Sequence, residues 1–217
     1  MSEKSPMVRS DAHRERPQVA AYELKLVPLC QHSPMIVLAS GSPRRGEILT
    51  NAGIAYVRQL PGYINETPAA GEPPRDYVSR LAREKAEAIA ATDDRIVLGA
   101  DTTVVIDGEI LGKPADAADA ARMLRLLSGR AHEVITGICL RSERAQVVDS
   151  ATTRVWFAAL SEAEIEAYVA SGEPMDKAGA YGIQGLASKF VSRIEGCYFN
   201  VMGLPIALLY AHLRVML

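Results

Sequence analysis

Four places in this 217-residue chain carry charged groups that a hydrophobic fold alone does not call for, and each could handle phosphate. The first is Arg44-Arg45, in what reads as the opening turn of a helix, with Ser42 suited to the N-cap and Pro43 to the first helical position. The positive end of the helix dipole disfavours cations there by a few tenths to ~1 kcal/mol each. Free backbone N–H groups, the Ser40 and Ser42 hydroxyls and two guanidinium groups would together make an anion site; otherwise the arginines are simply solvated. No Gly-Lys-Ser/Thr follows, so this is not a Walker loop.

The second place is Lys85. Val78, Leu81, Ala82 and Ile89 form the apolar arc of a helix expected over 75–91, and Lys85 falls near its middle. Its ammonium must either snorkel to water or find an anion. The third is Asp101, which interrupts the otherwise apolar strand pattern of 96–106. An ionised carboxylate there needs a metal, a cation or a hydrogen-bond partner, and a structural salt bridge would also serve. The fourth is the glycine-rich stretch 171–185, where Asp176-Lys177 and Gln184 stand among small and apolar residues. Its glycines permit close approach to a ligand, although a mobile loop is the alternative.

Two further residues extend the set. Glu66 offers a second acid upstream of Asp101. Counting across a hairpin turning at Asp107-Gly108 sets Lys113 opposite Thr102, where strict pleat alternation points it away from the Asp101 face, but Pro114 would end the strand first and leaves its side undecided. Cations to hold phosphates and carboxylates to hold a divalent ion amount to metal-assisted phosphoryl chemistry, with neither substrate nor scissile bond specified.

The elements that must position these groups follow from pattern. A buried strand over 35–39 feeds the helix at 43–51, which Gly53 stops. After the second helix come the strand at 96–106, its hairpin return at 109–111, and a helix opened by Asp116 and closed by Ser128-Gly129. Strands at 132–140 and 147–158 precede a capping box at Ser161–Glu164, a helix to about Ser171, a strand at 189–194 and an apolar terminal helix over 204–217. Strands and helices alternate irregularly, with hairpins, so the class is α/β with a mixed sheet.

Composition narrows the function classes. With 24 Lys+Arg against 26 Asp+Glu, the net charge of −2 leaves no general cation excess for a nucleic-acid polymer, though a local basic pocket remains open. No apolar run reaches the ~20 residues that span a bilayer, so no membrane role is expected. Three scattered cysteines without a CxxC indicate neither a zinc site nor a disulfide framework, and suit a reducing cytoplasm. Residues 1–34 have no apolar signal core and read as a poorly ordered extension before one domain over 35–217.

The segments Ser40-Gly41-Ser42-Pro43-Arg44-Arg45, Gly99-Ala100-Asp101-Thr102, Gly112-Lys113-Pro114 and Leu127-Ser128-Gly129-x-x-His132-x-Val134-x-Thr136 resemble the Maf family. So do 171–185, with its Asp-Lys-Ala-Gly and Ile-Gln-Gly, and Asn200-Val201-x-Gly203-Leu204-Pro205. The resemblance implies two α/β lobes around an extended, twisted mixed sheet, similar to the inosine triphosphate pyrophosphatases, with the site in a central cleft. It implies hydrolysis of a nucleoside triphosphate to the monophosphate and pyrophosphate with Mg²⁺ or Mn²⁺, and Ser-Pro-Arg-Arg, Asp-Thr and Ile-Gln-Gly match the dTTP/UTP branch. By the same resemblance Asp101 is the proton acceptor. Arg44, Thr102 and Gln184 set base specificity; Ser40, Ser42, Arg45, Lys85 and Lys113 hold phosphates; Glu66 and Asp101 ligate the metal. Asn65 stands where a second acid is common, which bears on the metal shell. A homodimer is open. A pyrophosphatase for a modified nucleotide, such as methylated GTP, or a nucleotide-binding regulator of cell division, are the alternatives; an acid beside the phosphates favours catalysis over mere binding.

Overall fold

The computed structural model describes residues 35–217. Residues 1–34, expected to form a poorly ordered extension, lie outside the described residues. A seven-stranded mixed sheet runs in the order β2-β1-β3-β5-β6-β7, with β4 paired to β3 beside β1. The strands are β1 (Met35–Ala39), β2 (Tyr56–Arg58), β3 (Arg95–Ile106), β4 (Glu109–Leu111), β5 (Ala131–Arg141), β6 (Gln146–Phe157) and β7 (Val191–Glu195). Pairing of β1 with β2 and β3 is parallel, and every other pairing is antiparallel. The long helices are α1 (Pro43–Asn51), α2 (Pro74–Glu87), α3 (Ala117–Leu127), α4 (Glu162–Ala170) and, after the short α5 (Tyr198–Met202), α6 (Ile206–Met216).

Helix α2 lies directly on one face of the sheet because two glycines admit it. A Cβ on Gly99 would strike the Ala82 carbonyl, and one on Gly137 would strike the Val78 carbonyl. Val78, Leu81, Ala82, Ala86 and Ile89 are buried there against Val97, Val105 and Ile135. The opposite face is divided. Leu38, Ile48, Leu49, Leu98, Ile138 and Leu209 pack beneath α1 and α6, whereas Val104, Leu124, Leu127, Val134, Phe157, Ile165 and Phe190 pack beneath α3, α4 and the 3₁₀ turns that follow α4. These are the two lobes.

Between the lobes the sheet edge has a gap. β1 follows β3 only as far as Ala39 opposite Gly99, and β4 reaches back only to Leu111 opposite Val104. On that side residues 100–103 of β3 have no strand beside them, while β5 pairs them on the other side. The chain leaves β1 through Ser40-Gly41-Ser42 and leaves β4 through Gly112-Lys113, so both exits border the gap. That gap is the cleft.

Local structure departs from the sequence pattern in four places. α2 ends at Glu87, short of 91, although Ile89 remains buried. The three-residue edge strand β2 has no counterpart in the sequence reading. The stretch after α4, which has no period in the sequence, is ordered as three 3₁₀ turns and is not the mobile loop of the alternative reading. Ser42 does occupy the N-cap of α1, yet its hydroxyl makes no cap. Instead its own N–H donates to Ser40 Oγ at 3.2 Å, because an extended Ser42 at the end of the β1 turn presents its amide to that hydroxyl.

Candidate active site

The cleft has a volume of about 500 Å³ and is lined by Ser40, Ser42, Arg44, Arg45, Glu66, Lys85, Asp101, Thr102, Lys113 and Gln184, all ten sequence candidates. It also holds Asp176 and Lys177, which brings five cations against three carboxylates into one pocket of a chain whose net charge is −2. Net positive charge in a concave, half-dry site concentrates polyanions.

Asp101 and Lys85 meet at the floor. Pleat alternation sends Asp101 to the same face as Gly99, toward α2, where Lys85 stands one turn beyond Ala82. The Lys85 ammonium donates to Asp101 Oδ1 at 2.6 Å and contacts Glu66 Oε1 at the same 2.6 Å. The side chains of Lys85 and Asp101 are only 10% and 12% exposed. Burial pushes the Asp101 pKa above the usual carboxylate range, against the opposing pull of Lys85 and Arg45. Glu66 goes the other way: its partial burial raises it, but the Lys85 hydrogen bond and the charges of Lys85, Lys113 and Arg45 outweigh this and hold it low. Two carboxylates with pKa values pushed apart suit a proton acceptor beside a permanent anion.

The same two oxygens converge on one point, which Lys85 now marks. Among the described residues no cluster of three or more His, Cys, Asp or Glu side chains could hold a metal. A pair of carboxylates completed by water and phosphate oxygens is nonetheless the donor set that Mg²⁺ prefers, so Glu66 and Asp101 fit such an ion.

Arg45 braces the rim. Its Nε–H donates to the Gly203 carbonyl at 2.8 Å, and its terminal nitrogens donate to Ser40 Oγ at 2.9 Å and Thr102 Oγ1 at 3.1 Å. Two of its five N–H groups are left over, enough for an anion. Thr102 faces away from Asp101 and shares its hydroxyl with Thr136 at 2.9 Å. It therefore sits with Arg45, and like Arg44 and Gln184 it lines the cleft. Ser40 Oγ accepts from both Arg45 and the Ser42 amide, so its own proton is available to a ligand. Lys113 lies two residues beyond the end of β4, so alternation no longer governs it. It lines the cleft and its charge reaches Glu66, a placement that parity alone left undecided.

The mouth holds a second charge cluster. Arg44 pairs with Asp176 Oδ2 at 3.1 Å, and Lys177 donates to Asp176 Oδ1 at 2.6 Å and to the Glu173 carbonyl at 2.6 Å. The Arg44–Asp176 pair spans the cleft between lobes. Gln184 projects nearby, beside Gly182. This wall is held from behind: the Glu173 carboxylate accepts from the Leu186 amide and the Tyr168 hydroxyl, and Tyr181 reaches back to His132 Nε2 at 2.8 Å.

The sequence did not single out three contributors. Tyr77 donates to the Glu66 carbonyl at 2.7 Å and so steadies that acid; two turns before Lys85 on one helix, it shares the Lys85 face. Thr103 has a buried hydroxyl without a partner, and standing two residues after Asp101 it shares the Asp101 face. The Arg44–Asp176 pairing had no signal, since 132 positions separate the residues.

A mixed sheet cleft built in this way belongs to a defined class of proteins. The family model described as "Maf-like protein" matches residues 35–216, and the chain belongs to the Maf family. A relative from Koribacter versatilis, named dTTP/UTP pyrophosphatase, is 54% identical over 180 residues, covering 82% of this chain and 93% of its own. A relative of the same name from Syntrophomonas wolfei is 52% identical, covering 81% of this chain and 94% of its own. Among solved structures, the Staphylococcus aureus Ham1 protein is 16% identical with a TM-score of 0.49, covering 84% of this chain and 100% of that one. Among the described residues no helix is long and apolar enough to cross a membrane.

Proposed function

We propose that this chain hydrolyses dTTP and UTP to the monophosphate and pyrophosphate with Mg²⁺ or Mn²⁺, acting on free nucleotides in the cytoplasm. The observation that carries the reading is the buried Asp101 carboxylate set among cations, together with relatives above 50% identity that bear the dTTP/UTP pyrophosphatase name.

In this mechanism Ser40, Ser42, Arg45 and Lys113 bind the triphosphate, Arg45 through its two unused N–H groups. Lys85 moves its ammonium from the carboxylates to phosphate oxygens. Glu66 and Asp101 would hold a divalent ion, which when bound spreads the phosphate charge and lowers the pKa of a coordinated water. Asp101 accepts the proton of the attacking water. A water oxygen–phosphorus bond forms at the α-phosphate, the bond from that phosphorus to the bridging oxygen breaks, and pyrophosphate leaves with the electron pair. Without an ion, burial raises the Asp101 pKa; a divalent ion held at that carboxylate would oppose the rise.

The test is a panel of dTTP, UTP, CTP, purine triphosphates and methylated GTP with Mg²⁺ or Mn²⁺, with rates and products measured. Fastest turnover of dTTP and UTP supports the reading; a methylated or purine nucleotide in first place replaces it.

A further inference from the structure

The cleft holds two ion-paired groups, Glu66–Lys85–Asp101 at the floor and Arg44–Asp176–Lys177 at the mouth, and among the described residues no ion pair joins them. If the first group takes the phosphates, as proposed above, the second lies where the nucleoside must extend. We infer that Lys177 reads the pyrimidine base, donating from its ammonium to a ring carbonyl, and thereby selects thymine and uracil over cytosine.

The structure builds Lys177 for a fixed position. Its side chain is only 12% exposed although it lines the cleft. Its stem runs across Gly182, where an added Cβ would come within 2.7 Å of Lys177 Cε, so the glycine keeps that path open. Two of the three ammonium protons go to the Glu173 carbonyl and to Asp176. One donor remains, and the two fixed partners restrict where it points. Glu173 itself is immobilised by the Leu186 amide and Tyr168, which makes the platform stiff.

An ammonium has donors and no acceptor. Thymine and uracil present a carbonyl at ring position 4, where cytosine presents an amino group. The remaining Lys177 proton satisfies the first and meets a donor in the second. Gln184 cannot enforce this choice alone, because an amide can turn to offer either a donor or an acceptor. A site built around a fixed donor rejects the wrong partner more strongly than one shaped only by size.

This inference rests on the dTTP/UTP reading, and the experiment separates the two. kcat/KM is measured for UTP and CTP in the full chain, wild type and Lys177→Met, with the thermal midpoint as a control for folding. Methionine keeps the stem over Gly182 and removes the donors. The UTP-to-CTP ratio should fall by about tenfold or more, through loss of UTP activity with CTP held or improved. Should Lys177→Met not fold, Lys177→Gln serves, since its amide can turn either a donor or an acceptor toward the ring and should also lower the ratio. Equal losses for both nucleotides, or an unchanged ratio, would show a phosphate-holding or purely structural lysine and overturn the inference. A wild type that turns over neither UTP nor dTTP refutes the parent reading instead.

Discussion

The two charge clusters of the cleft are mirror images. At the floor a cation sits between two acids, Glu66–Lys85–Asp101; at the mouth an acid sits between two cations, Arg44–Asp176–Lys177. Their surroundings differ as much as their signs. Lys85 and Asp101 are nearly dry, whereas Asp176 has 64% of its side chain exposed. Buried charges cannot lose a partner cheaply, and exposed ones can. On the proposed function, the floor would exchange one strong partner for another, a metal or a phosphate. At the mouth water screens Asp176 while Lys177 is only 12% exposed, an arrangement that on the proposed reading would suit an uncharged base.

The sharpest way to break this contrast is Asp101→Asn. The change is nearly isosteric, so the fold should persist while kcat drops by ~10²–10⁴-fold, the usual range for general-base catalysis. Triphosphate binding, measured by calorimetry, should remain because Arg45, Ser40 and Lys113 are untouched. Wild-type turnover in a folded Asp101→Asn protein would end the assignment.

Next in size is Lys85→Met. Removing the ammonium leaves two carboxylates facing each other, one of them buried, at a cost of ~3 kcal/mol at pH 7. Mn²⁺ should bind this variant more tightly than the wild type in the absence of nucleotide and should restore its stability, since ion and lysine compete for the same oxygens. Calorimetric titration with MnCl₂ checks this. Weaker binding than wild type would mean that Lys85 does not stand where the ion goes.

His132 supplies the pH baseline for both clusters. Desolvation lowers its pKa from 6.5 to about 4. The unfolded state then binds more protons between these values, so stability rises with pH across the window and is lost as pH falls toward 4. From pH 7 to pH 5 the loss should be ~2 kcal/mol, and His132→Gln should remove that slope in denaturation measurements. A slope unchanged in the variant would assign the acid sensitivity to the floor carboxylates instead.

The smallest effect belongs to the mouth. Asp176→Asn should shift stability by less than ~1 kcal/mol, because water screens an exposed pair. A loss on the scale of Lys85→Met would erase the distinction between the clusters.

How far these features could be read in advance depends on what each residue contradicts. Asp101 was visible because a carboxylate interrupts a strand of Ile, Val and Leu, and Lys85 because it falls within an apolar helical arc. Both break a local period, and a period is a property of sequence. The Arg44–Asp176 bridge breaks none: each residue is ordinary in its own segment, and only the closing of two lobes brings them together. Strand β2 is too short for any period to emerge, and its place is set by pairing with β1. Ser42 has the right residue type at the N-cap, yet the Ser40 hydroxyl takes up its amide, so identity there did not disclose geometry. Pleat parity could not decide Lys113, because β4 ends two residues earlier at Leu111.

The central claim is that water activated at Asp101 attacks the α-phosphate. Hydrolysis of dTTP in ¹⁸O-enriched water, followed by mass spectrometry of both products, tests it directly. The label should appear in the monophosphate and be absent from pyrophosphate. Label in pyrophosphate, or release of labelled orthophosphate, would place the attack elsewhere and contradict the role given to Asp101.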